Sequence, residues 1–392
     1  MRVLIISAVF PPEPVVSASI SFDLARELAK DNEVTVICPR PTRPLGYHMK
    51  EELTHNLRFR KIEMNSYTCA ESQVLGRFRE SISFGKHCAN YIKSNQENFD
   101  IIYFNAWPLF SQFIISFTSK RLRIPYVVHV QDIYPESILN PARLITRVPY
   151  LCLLQLDRYV LKNAKAVVTI SGHMCRYVKK TRKLSREIQV AYNWQDHQLQ
   201  AHSPIQSNAN PKFTFMFLGS ISPAAGIDIL IRGFYEAKIA GAQLVLAGAG
   251  SDKERLVKLA SAYSGCDIKF IDAPKEQVPV LQQSADVLLL SLKAGSAGFA
   301  LPSKLTSYLF SEKPVIACVD EDSAVGEILT MAGCGWVCEP NSVKKVASTF
   351  LFAVNVDNDT RSEMGKKGRV FAEHNLSKLV NLSILKKIIV SG

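Results

Sequence analysis

Residues 197–220 read HQLQAHSPIQSNANPKFTFMFLGS, and the fold turns on how this stretch changes character. As far as Pro211 it is polar, rich in Asn, Gln, Ser and Pro, and without period, which is how a connecting segment reads. From Phe213 it becomes a short apolar run closed by Gly219 and Ser220, the pattern of a strand buried on both faces and followed by a turn. A buried strand that restarts after a linker midway along a chain of 392 residues predicts a second domain, since single cores seldom grow beyond roughly 250–300 residues.

Toward the amino terminus the runs RVLIISAVF, EVTVICP, IIYFNA, YVVHVQD and AVVTIS alternate with helix-length amphipathic stretches. The first is followed by SASISFDLARELAKD, where Ile20, Leu24, Ala25 and Leu28 fall at helical spacing. Toward the carboxyl terminus the runs are QLVLAGAG, IKFIDA, VLLLSL, PVIACVD and GWVCEP. Both sides of the linker therefore follow one α/β plan, a doubly wound, Rossmann-like parallel sheet covered by helices. The predicted boundaries are 1–197, a linker at 198–211, 212–370, and a terminal helix within 371–392. Ligands of such sheets bind outside the carboxyl ends of the strands, so the expectation is a cleft onto which both domains open.

Composition narrows the function. Hydrophobic residues make up 47% and charged residues 21%, with 19 Gly and 19 Pro scattered along the chain, which is globular and free of low-complexity tracts. Nine cysteines without a C-x-x-C pair argue against a disulfide framework or a zinc site. Cys334 and Cys338 lie four apart, but no second pair completes a ligand set, so they read as buried thiols. The opening MRVLIISAVFPPEP is apolar for only about eight residues, short of a signal peptide or a membrane span, and predicts a buried strand in a cytosolic protein.

Formal charge is +12, with cations grouped as Arg58, Arg60 and Lys61, as Lys120, Arg121 and Arg123, and as Lys179, Lys180, Arg182, Lys183 and Arg186. Such groups attract polyanions or are plain solvated faces. No aromatic-studded RNA-binding strand or zinc finger accompanies them, which favours an anionic membrane over nucleic acid.

In order and spacing, FPPEPVVSAS, HVQDIYPESI, AVVTIS, YNWQD, FLGSISPAAGIDILI, LVLAGAG, ADVLLLSL, LPSKLTSYLFSEKPVIA and AGCGWVCEPNS make the chain resemble glycosyltransferase family 4 nearly end to end. These are retaining enzymes of the GT-B fold, and the similarity is to the bacterial group that assembles surface polysaccharides, such as L-fucosamine transferases. The resemblance implies transfer of a sugar from a nucleotide diphosphate to an acceptor hydroxyl with the anomeric configuration kept and no metal or other cofactor. It further implies that the carboxyl half holds the nucleotide and the amino half the acceptor. Typical members carry two glutamates eight positions apart in the segment aligned with 298–308. Here Ser307 stands at the ribose position, and no Glu precedes it at that spacing. The usual Arg and Lys after the first strand of the second domain are replaced by Ser220 and Ala225.

With those cations absent, Lys304 is the charge left to meet a leaving diphosphate, which needs cations or oriented amides in a site shielded from water. Lysine is costly in so apolar a stretch without an anionic partner, and a surface lysine on a strand-to-helix turn is the plain alternative. Ser303, after Pro302, is placed to cap the following helix, whose amino end would face phosphate. Gly219 and Ser220 form a second phosphate-facing turn, and Gly248 and Gly250 of AGAG are candidates for base or ribose contact or an ordinary loop.

On the acceptor side Glu13, Ser17 and Ser19 follow the first strand, with Ser17 or Ser19 equally readable as a helix cap. Asp132 is a candidate to orient or deprotonate the acceptor hydroxyl, which requires reach of about 2.6–3.2 Å. Glu136 lies nearby, and His129 reads as a half-buried core histidine or, by the resemblance, as a residue facing the donor sugar. The helix pattern RLITRVPYLCLLQLDRYVLKN mixes Arg143, Arg147 and Arg158 with Ile145, Leu151, Leu153, Leu154 and Leu161, and suits a membrane interface or packing on the sheet.

The expectation is a cytoplasmic enzyme, peripheral on the inner face of the membrane. It would move a hexose or N-acetylated deoxyhexosamine from a UDP-sugar to a lipid-linked saccharide, without a nucleic-acid partner, in capsule or O-antigen synthesis. The rivals are a UDP-N-acetylhexosamine epimerase of the same fold and a non-catalytic scaffold that binds nucleotide-sugars.

Overall fold

The computed structural model describes residues 1–42, 57–69, 74–105, 109–139, 144–194, 212–294 and 301–391. They fall into two units, Met1–Trp194 with Lys378–Gly392, and Gln195–Ser377.

The first unit has seven parallel strands: β1 (Arg2–Ile6), β2 (Glu33–Pro39), β3 (Arg60–Met64), β4 (Ile101–Asn105), β5 (Tyr126–Val130), β6 (Ala166–Thr169) and β7 (Gln189–Val190). Their order is β3-β2-β1-β4-β5-β6-β7. Helices α1 (Val16–Leu28), α2 (Val74–Ser94), α3 (Leu109–Leu122), α4 (Leu144–Asn163) and α5 (Gly172–Arg182) alternate with them. Ile20, Leu24, Ala25 and Leu28 are fully buried against Val3, Ile5 and Tyr103, as their spacing predicts. The charged strand β3 and the two-residue β7 were not among the apolar runs. They lie at the two ends of the sheet, where burial is partial and no continuous apolar run is needed.

The second unit has six parallel strands: β8 (Phe213–Leu218), β9 (Ala242–Ala247), β10 (Ile268–Ile271), β11 (Val287–Ser291), β12 (Val315–Cys318) and β13 (Gly335–Cys338), ordered β10-β9-β8-β11-β12-β13. Its helices are α6 (Asp228–Ala237), α7 (Lys253–Ser261), α8 (Val278–Ser284), α9 (Ser303–Phe310), α10 (Ala324–Ala332), α11 (Val343–Asn355) and α12 (Asn358–Phe371). Phe215, Phe217, Phe234 and Phe350 form the centre of its core. Winding reverses between β1 and β4 in one sheet and between β8 and β11 in the other, and at such points neighbouring connections diverge and leave a crevice.

The last helix, α13 (Lys378–Val390), belongs to the first unit. Leu382, Leu385 and Ile389 enter its core. Lys386 Nζ reaches Asp31 at 2.7 Å and Glu27 at 3.3 Å, and Asn381 Oδ1 accepts from the Tyr192 amide at 2.7 Å. One carboxylate, Asp23, accepts from Trp194 Nε1 at 2.9 Å and pairs with Lys378 at 2.8 Å.

The basic groups need correction. Arg182 is fully buried and contributes nothing to a cationic surface, whereas Arg186, only partly exposed, donates to the carbonyls of Ala164 and Lys162 at the end of α4. Along α4, Leu154 and Leu161 are buried while Val148 and Leu151 are 69% and 48% exposed, so one apolar stretch faces inward and another outward. Arg143 and the side chain of Ile145 lie outside the described residues, as do 195–211. Among the described residues no helix is long and apolar enough to cross a membrane.

Candidate functional site

At the winding reversal of the second unit, β8 ends in Leu218 and passes into Gly219 with φ +126°. A Cβ there would sit 2.4 Å from Lys304 Cε and 2.9 Å from Nζ, so glycine is what lets the lysine lie along the chain. The Lys304 ammonium rests 3.9 Å from the centroid of the Phe217 ring. Among the described residues it pairs with no carboxylate, and burial alone pulls its pKa down to about 8. Helix α9, which carries Lys304, is fixed by Tyr308, whose hydroxyl accepts from the Leu218 amide at 2.9 Å and donates to the Leu218 carbonyl at 3.1 Å. A half-buried ammonium with no carboxylate partner among the described residues, beside an open backbone turn, has a charge and shape suited to an anion.

The remaining residues expected on the donor side lie just past β8 and β9 and on α9. Ser220 is exposed next to Gly219. Gly248 and Gly250 are required by close backbone approach, since their Cβ atoms would fall 2.1 Å from the Gly219 and Ile221 carbonyl oxygens. Ser303 does not cap α9: Pro302 occupies the cap position with no side-chain bond, and Ser303 is the first helical residue, exposed. Ser307 Oγ accepts from Gln282 Nε2 at 2.7 Å, tying α9 to α8. Cys334 and Cys338 are buried thiols. Among the described residues no three His, Cys, Asp or Glu converge as metal ligands.

In the first unit the winding reversal carries a polar cluster that spacing did not disclose. Asn105, at the end of β4, donates through Nδ2 to Ser7 Oγ at 3.2 Å and Ser21 Oγ at 3.0 Å. Both hydroxyls also lie within donating distance of carbonyls, Ser7 to Val9 at 2.6 Å and Ser21 to Ser17 at 3.0 Å. That arrangement fixes the amide orientation and leaves Asn105 Oδ1 buried without a partner among the described residues. A polar residue closing an apolar strand was the only available signal.

His129 stands beside Asn105 in register. It is fully buried, its Nδ1 is 2.8 Å from Tyr103 Oη, and burial lowers its pKa to about 4, with the Ala191 backbone acting the other way. It is therefore a neutral core imidazole at pH 7.

Glu13 is buried, and its carboxylate folds back onto the amides of Thr42 at 3.0 Å and Phe10 at 3.4 Å. Neither Ser17 nor Ser19 caps α1: Val15 holds that position with no side-chain bond. Asp132 reaches solvent, yet the protein packed around it raises its pKa, which makes it more basic than an ordinary aspartate.

Glu136 is engaged within the protein. Arg182 donates to both its oxygens at 2.5 and 2.7 Å, Tyr177 and Tyr150 donate at 3.0 and 3.1 Å, and Arg182 also holds Asp157 at 2.6 Å and the Tyr134 carbonyl. Burial works to raise both acids. At Asp157 it wins, giving about 6, whereas at Glu136 the bonds and charge of Arg182 prevail and the pKa is lowered. The network ties the loop that carries Asp132 to α4 and α5.

Residues 19–199 match the family described as Glycosyltransferase Family 4, and residues 200–371 match Glycosyl transferases group 1. A probable glycosyltransferase of Pseudomonas aeruginosa, WbjE, is 22% identical over 277 residues, 67% of each protein. Among solved structures, Anabaena HepE in complex with UDP superposes with a TM-score of 0.68 at 16% identity, over 99% of both chains. WaaG, a glycosyltransferase involved in lipopolysaccharide biosynthesis, does so with 0.66 at 15%, over 100% of both. At these identities the structures speak for the fold, which is GT-B.

Proposed function

Because the chain joins a Glycosyltransferase Family 4 domain to a group 1 glycosyl transferase domain, we propose that it is a retaining, metal-independent transferase using a UDP-sugar. The sugar is a hexose or N-acetylated deoxyhexosamine, and the acceptor is a lipid-linked saccharide of capsule or O-antigen synthesis at the cytoplasmic face of the membrane. One observation carries the reading: the Lys304 ammonium, with no carboxylate partner among the described residues, lying against Gly219 at the winding reversal of the second unit. As the glycosidic bond breaks, charge grows on the departing diphosphate, and a cation already desolvated in place stabilises it without reorganisation. Asp132, with its raised pKa, is suited to orient or deprotonate the acceptor hydroxyl. Binding of UDP by HepE and the lipopolysaccharide role of WaaG support the donor and acceptor classes. Exposed Val148 and Leu151 beside Arg147 on α4 support contact with an anionic membrane.

Incubating the full chain with UDP-hexoses and UDP-N-acetyl-deoxyhexosamines tests the reading through slow UDP release. Lys304→Ala should reduce that rate on the order of 100-fold, and an unchanged rate would remove the lysine from the mechanism. Silence of the wild type with intact binding would instead favour a scaffold. Binding to anionic vesicles should weaken steeply as salt rises; absent or salt-insensitive binding would overturn the membrane assignment.

A further inference from the structure

The turn between β8 and α6 is held at both ends. At its start Lys304 lies along Gly219. At its far end the chain leaving β11 clasps it: Lys293 N donates to the Ala224 carbonyl at 3.1 Å, and Ser291 Oγ to the Gly226 carbonyl at 3.1 Å. Gly226 has φ +60°, and a Cβ there would come 3.2 Å from Lys293 N and 3.4 Å from its Cγ. The side chain of Lys293 is therefore rooted on this turn although it arrives from a different strand. It is exposed and, among the described residues, forms no ion pair. Asp252, whose carboxylate feels the charge of Lys293, is already gripped by Arg255 at 2.6 and 2.7 Å.

Between the two lysines, backbone donors alternate. Gly219 and Ile221 give their N–H groups to Ala247 and Ala249, while among the described residues those of Ser220 and Ser222 have no backbone acceptor. A nucleotide diphosphate carries charge on each phosphate, and a single ammonium matches one of them. We infer that Lys293 is the second cation of the diphosphate site, facing the phosphate that Lys304 does not, across open amides of the same turn. This deepens the donor reading above and rests on it.

Calorimetric titration of the full chain with UDP and with UMP tests the inference. Wild type should prefer UDP. Lys293→Gln should lower UDP affinity about tenfold, the value of one charge-assisted contact, and leave UMP affinity and the unfolding midpoint unchanged, while Lys293→Arg retains most of the preference. If wild type prefers UDP and Lys293→Gln prefers it equally, or loses both nucleotides alike, this inference is wrong and the donor site stands. A wild type that binds neither nucleotide removes the donor site and this inference together.

Discussion

Replacing Lys304 by methionine should make the nucleotide-free protein more stable while it loses activity. Burial holds the ammonium at about 8, from an ordinary 10.5, which corresponds to roughly 3 kcal/mol at 1.36 kcal/mol for each factor of ten. The side chain is only half-buried, and solvent screening reduces that to about 1–2 kcal/mol. Loss of the contact with the Phe217 ring at 3.9 Å offsets about 0.5–1 kcal/mol. The net gain of about 1 kcal/mol should raise the unfolding midpoint by roughly 2–4 °C.

The sign depends on pH. The folded state binds this proton less tightly than the unfolded chain, so the destabilisation is complete below about 8 and fades as pH climbs toward about 10.4. Wild type and variant should therefore converge near pH 10. With UDP in excess the order should invert, because only wild type gains fully from the ligand. Thermal unfolding followed at pH 7 and pH 10, with and without UDP, reads all three comparisons. A variant that melts below wild type at pH 7, or a gap that persists undiminished at pH 10, would show that the ammonium is not held desolvated at the turn.

Arg182→Met strands two carboxylates and should cost about 3–5 kcal/mol, lowering the first unit's midpoint by roughly 10 °C. The loss should be smaller at pH 5 than at pH 8, since Asp157, at about 6, is by then protonated; an unchanged midpoint would refute the network's structural role. Gly248→Ala places a Cβ against the Gly219 carbonyl and should destabilise by on the order of 2–3 kcal/mol while weakening UDP binding. Calorimetry showing wild-type affinity would separate that backbone pairing from the site. Donor kcat/KM should fall as pH rises through about 8 and Lys304 loses its proton, whereas a flat profile to pH 10 would exclude a charged lysine from donor capture.

The fold was legible because parallel strands covered on both faces must be apolar throughout, and each run marked a strand. RKIEM of β3 escaped because partial burial at the end of a sheet tolerates charge. In the candidate site, Lys304 was conspicuous as a cation in apolar surroundings. Carboxylates were less readable: Glu136 has the chemistry of a ligand contact, and its partner Arg182 lies 46 positions away, beyond any local pattern. Ser303 looked like a cap until Pro302, with extended backbone, held that position. Asn105 and Lys293 matter through what the folded chain brings beside them, which spacing along one strand does not encode.

Asp23 grips both the point where the chain departs the first unit, Trp194, and the point where it comes home, Lys378. The second unit is thus an excursion from a body whose interior stays open until Leu382, Leu385 and Ile389 arrive. Order of synthesis and order of completion are opposed: the portion made first must wait for helix α13, translated after the second unit, before it can close.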